Sequence, residues 1–175
     1  MGISNAFMLK LIHVLVWIIF IGLCIKTGSL LVSFVVSIAI NAAATENLYL
    51  GLNFSDLYDY SLISYDAIIS MLILITGLKA YIAYLVIKIF MELKMEKPFS
   101  VQISLLISRI SRISFLATIM SILAESFCES LVKNGIEIPL QWACEEMIFF
   151  SGLIYIISLI FSKGIELQTE NELTV

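Results

Sequence analysis

The chain has 175 residues, of which 61% are hydrophobic and only 14% charged. A soluble domain carries about 45–50% apolar and about 25% charged residues, so a water-soluble fold of this size is excluded and the surrounding solvent is lipid. The net charge of −4 and the absence of basic runs argue against direct nucleic-acid binding. With two prolines, Pro98 and Pro139, and no low-complexity linker, residues 1–175 read as a single domain.

A membrane-crossing helix needs about 20 mostly apolar residues. Four segments qualify. The first, residues 11–40, is interrupted only by Lys26; at about 1.5 Å per residue it is about 45 Å long, more than the hydrocarbon core. It reads as one long or tilted helix, and a break at Gly28-Ser29 would instead make two half-spans. It is too long for the hydrophobic part of a cleaved signal. The others cover residues 63–91, 102–126 and 143–163. They leave outer loops at 41–62 and 127–142, an inner loop at 92–101 and a tail at 164–175, with Gly164 placed to end the fourth span. The expected fold is all-α, an up-down bundle of four transmembrane helices.

Orientation follows from Lys and Arg. Residues 41–65 hold Glu46, Asp56 and Asp59 without a basic residue, and residues 125–146 hold five acids against Lys133. The basic residues Lys94, Lys97, Arg109 and Arg112 flank the second connection, Lys10 precedes the first span and Lys163 follows the last. Lys and Arg stay cytoplasmic, so both termini are expected inside and both acidic loops outside. Tyr49, Tyr58, Tyr60, Tyr65 and Trp142 then fall at the outer interface, where amphipathic rings collect.

Two charges lie within the spans. Lys26 and Lys79 are at similar distances from the cytoplasmic ends of antiparallel helices, hence at one depth. Intramembrane charges usually face a bundle interior or a wet cavity. The nearest acids in depth are Glu125, Glu145 and Glu146. This pattern predicts a polar cavity open to the outside, lined by Lys26, Lys79, Glu125 and one of Glu145 or Glu146. The competing structural reading has the lysines snorkelling and ion pairs joining helices. In the third span Ser104, Ser108, Ser111, Ser114, Thr118 and Ser121 recur every three or four residues, a face of small hydroxyls suited to close packing.

Cys24 reads as an inert apolar residue. Cys128 and Cys144 end one outer loop, where an oxidising compartment permits a disulfide; two free thiols are the alternative. The lone His13 and the cysteine spacing do not suit a metal, and no cofactor is expected. Neither a nucleophile elbow nor a glycine-rich phosphate loop is present.

Three stretches carry a resemblance. They are "KPFS" at Lys97–Ser100, "NLYLGLNFSDLYDYSLISY" in the first outer loop and "KGIELQTENELTV" at Lys163–Val175. Together they resemble a bacterial domain-of-unknown-function family, number two-nine-seven-five, of small four-span membrane proteins. That family reads roughly Asn-Pro-Phe-Ser and Gly-x-x-Leu-Gln-x-Glu-Asn-Asp-Leu-Thr-Val. Here Lys97 stands in place of the Asn and Glu172 in place of the Asp. The resemblance implies a bacterial inner-membrane location and a gene often beside one for a small Cro-type helix-turn-helix regulator. The membrane protein would then hold or control that regulator. Gly164, Glu166, Leu167, Glu170, Asn171, Glu172, Leu173, Thr174 and Val175 are the docking candidates, an acidic, partly apolar strip that could cover a basic DNA-binding face.

Three functions compete. A sensory or regulatory membrane anchor would need the tail. A transport or immunity-type protein would need the lysine cavity, and with only four spans would require a homo-oligomer. A membrane enzyme ranks last, because no constellation supplies acid–base or nucleophilic chemistry.

Overall fold

The structure, a computed structural model, describes the backbone of residues 3–93 and 100–173 and the side chains of residues 7–93 and 100–170. The described chain is all-helical. Four long helices, α1 (Ile3–Ala39), α3 (Leu62–Glu92), α4 (Val101–Val132) and α5 (Cys144–Leu173), join a short α2 (Ser55–Tyr60) and a 3₁₀ segment at Ala42–Asn47. All four long helices are long and apolar enough to cross a bilayer. The protein is a multi-pass membrane protein with a four-helix bundle. α1 is unbroken through Gly28-Ser29.

Hydroxyl caps start two of the helices. The Ser61 side chain accepts from the Ser64 amide ahead of α3, and Ser100 from Ile103 ahead of α4, each satisfying one of the orphan amides of a first turn. The helices run antiparallel to their chain neighbours. Successive rungs show the α1–α3 register: His13 stacks on Phe90 at 5.3 Å, Phe20 meets Tyr84 at 6.0 Å, and Ser37 bonds Tyr65 at 2.7 Å. α1 packs on α3, α3 on α4 and α4 on α5, while no described Cα of α1 comes within 8 Å of one in α5. The bundle is therefore a horseshoe, with a gap between its first and last helices.

Its core is concentrated at the end carrying the acidic loops, here the acidic face. Leu48, Phe54, Leu57 and Tyr65 are at most 1% exposed there, and they pack with Leu30, Ile68, Ile69, Leu131 and Trp142. The reason lies in helix lengths. Thr118 and Ser121 of α4 bond Met147 in the first turn of α5, yet α4 continues about three further turns to Val132. Together α1, α3 and α4 thus project beyond α5 and enclose a folded cap made of residues 41–61 and 133–143. Residues 41–62 and 127–142 are accordingly not bare loops. Tyr65 and Trp142 belong to the cap core rather than to a membrane-interface belt, and of the five expected belt rings only Tyr60 is exposed outright.

At the opposite, basic face the expected end of the fourth span is also corrected. α5 does not stop at Gly164 but continues to Leu173. Gly164 keeps helical geometry, the Lys163 ammonium pairs with Glu166 at 2.6 Å one turn on, and Thr169 bonds back to the Ile165 carbonyl. Since Ser104 lies opposite Ser162 and α4 begins at Val101, the last two turns or so of α5 run free of α4.

Candidate functional site

Within the horseshoe lies a cavity of about 460 Å³. Its walls come from α1 (Val16, Ile19, Leu23), α3 (Lys79, Ile82, Ala83, Val86), α4 (Ser114) and the start of α5 (Ala143, Glu146, Met147, Phe150). Because α1 and α5 both line it with no described Cα pair within 8 Å, it opens sideways between them, towards lipid.

Of the five predicted cavity residues, Lys79 and Glu146 are in this wall. Lys26 and Glu125 lie close by but outside it. Lys26 is half-buried, its charge is felt at Lys79, and its ammonium sits 5.8 Å from the centre of the Tyr49 ring, beneath the cap. Glu125 lies near Cys144 and faces a separate crevice with Cys128 and Trp142. Glu145 is exposed and lines no cavity wall described here. The expected polar, outward-open cavity is thus corrected to a mainly hydrocarbon one that opens laterally. Helix ends explain the change: α5 starts about three turns below the end of α4, so the cap covers the site from the acidic face.

Lys79 is half-buried and makes no hydrogen bond or ion pair with any described residue. Nearby, Ser114 is 2% exposed and its Oγ has no hydrogen-bond partner. Glu146 occupies the first turn of α5, where the positive end of the helix dipole favours a carboxylate. Ala143, just before that turn, has φ of +52°, a left-handed conformation costly for a residue with a Cβ.

The thiols are not bridged. Cys128 and Cys144 are both free and buried. Cys128 Sγ instead accepts the Trp142 indole N–H at 3.2 Å, and Cys144 lies near Glu125. The hydroxyl face of α4 is a packing seam: Ser104 and Ser108 meet Ser162 and Ser158 of α5 at 3.4 and 2.9 Å, and Thr118 and Ser121 meet Met147.

Of the docking candidates, Glu166 and Leu167 are exposed on the free end of α5, with Glu170 exposed beyond them; Gly164 is half-buried. The side chains of Asn171, Glu172 and Leu173, and all of Thr174 and Val175, lie outside the described residues, as do Lys97–Phe99.

Sequence reasoning missed the Ser114 and Phe150 walls and the cap. Leu48, Phe54 and Leu57 are large apolar residues in a segment read as an outer loop, but without a regular period they did not point to a cap.

Comparison with protein-family models, with curated proteins and with solved structures finds no match.

Proposed function

We propose that the protein is a sensory or regulatory protein of the bacterial inner membrane, with its acidic face outside. It passes the state of the cavity to a small helix-turn-helix regulator in the cytoplasm. The observation that carries this reading is the continuity of α5, one helix of 30 residues from Glu146 in the cavity wall to the acidic end past Lys163. A stiff helix moves as a body, so a displacement at its first turn reaches its last. Among the described residues α5 packs on α4 alone of the long helices, so no other long helix holds it in place. Beyond α4 it carries the exposed residues Glu166, Leu167 and Glu170, an acidic strip complementary to the basic face of a DNA-binding module.

Deleting residues 164–175 tests the reading. The shortened chain should insert at normal levels while transcription of genes adjoining its own changes. Unchanged transcription with normal insertion contradicts the proposal.

The unpaired Lys79 favours a second reading, transport or protection against an external toxin by an oligomer. In that case the tail is dispensable and Lys79 essential.

A further inference from the structure

Charges inside a bilayer persist where something answers them. Lys26 has the Tyr49 ring, and Glu146 has the N-terminal end of α5. Lys79 shares its cavity wall with Glu146 but makes no ion pair or hydrogen bond with any described residue. An ammonium held this way in an apolar site is costly without a counter-charge. In the same wall Ser114 Oγ lacks a partner. Lys79 thus brings an unpaired donor to the cavity wall, which apart from Glu146 and the small Ser114 is hydrocarbon: Leu23, Ile82, Val86 and Phe150 among others.

We propose that this cavity binds a single-chain amphiphile with an anionic head, a carboxylate or a phosphate monoester, which enters from the bilayer between α1 and α5. Lys79 takes the head group, on the side away from Glu146, and the chain lies on the apolar wall. The 460 Å³ volume falls within the range of about 300–1,000 Å³ typical of small-molecule sites. A small water-soluble anion would leave the hydrocarbon wall unfilled, and an uncharged lipid would leave Lys79 unanswered. This inference rests on the cavity of the sensory reading but not on its relay, since binding can be measured without any partner.

The test uses the purified full chain in neutral detergent and a palmitate analogue carrying a photoactivatable diazirine on its chain, with labelled peptides mapped by mass spectrometry. Label should fall on α1 around Ile19 to Leu23 and on α5 at Phe150. Palmitate and dodecyl phosphate should compete, whereas lysophosphatidylcholine, acetate and inorganic phosphate should not. Lys79→Met should lower labelling about tenfold, the effect of losing one charge-assisted contact, and Lys79→Arg should retain it. Ala83→Phe, which fills the wall and keeps the lysine, should also abolish labelling, with helicity and elution profile checked for each variant. Label spread over the lipid-facing surface, or equal competition by lysophosphatidylcholine, overturns the proposal. Competition by acetate or inorganic phosphate replaces the amphiphile with a free anion and overturns it as well. Failed labelling together with tail-dependent retention of a cytoplasmic protein would remove this ligand class and leave the sensory reading standing. Successful labelling with no such retention would do the reverse.

Discussion

Ser108 of α4 and Ser158 of α5 face each other at 2.9 Å, and this contact sits one turn in from the basic end of the one helix pairing that, among the described residues, holds α5 in the bundle. The seam is close because its residues are small. Ser158→Leu should force it apart at about 1–3 kcal/mol, the usual cost of overpacking. Ser158→Ala, which loses only an interhelical hydrogen bond, should cost about 0.6 kcal/mol. Thermal unfolding in detergent separates the two; equal effects would mean that the seam is loose.

The cap should be the stability centre of the acidic face. Leu57 is fully buried in it, and Leu57→Ala should cost about 2–5 kcal/mol. In amide hydrogen exchange, residues 41–61 should lose protection while α5, which does not contact α2, keeps its own.

Because Cys128 and Cys144 are free, a reducing agent should leave the melting temperature unchanged. Thiol titration of the denatured, unreduced protein should find all three cysteines. Removal of a structural disulfide would cost about 2–5 kcal/mol, a loss easily seen if the bridge existed.

Lys79→Met should stabilise the ligand-free protein by about 1–3 kcal/mol, because an unanswered intramembrane ammonium is replaced by an apolar chain of similar length. For Lys26→Met the gain should be smaller, since that substitution forfeits a cation–π contact of about 0.5–2 kcal/mol. Equal gains would place the two lysines in equivalent surroundings and remove the special standing of Lys79.

Ala143→Gly should stabilise the protein by about 1 kcal/mol by relieving a left-handed conformation. Loss of stability in this variant would show that the Ala143 methyl packs usefully at the cavity mouth.

The four spans and the shared depth of Lys26 and Lys79 were readable because hydropathy and length alone determine them. So was the seam, whose hydroxyls recur at helical spacing. The cap was not, since Leu48, Phe54 and Leu57 follow no regular period and their burial comes from helices of unequal length, which hydropathy does not reveal. Tyr65 and Trp142 were misplaced for the same reason: an amphipathic ring suits a membrane interface and a cap core equally. Gly164 read as a stop because glycine often ends helices, but it keeps helical geometry and α5 runs on to Leu173. The proximity of Glu125 to Cys144 joins two elements that sequence spacing cannot relate.

The central claim, that α5 ends in a docking element, is tested most directly by purifying the intact chain and one truncated after Lys163 from native membranes in mild detergent. A small helix-turn-helix protein should accompany the intact chain and be lost on truncation. Failure of either form to retain a cytoplasmic protein would contradict the claim and leave the Lys79 cavity as the functional centre.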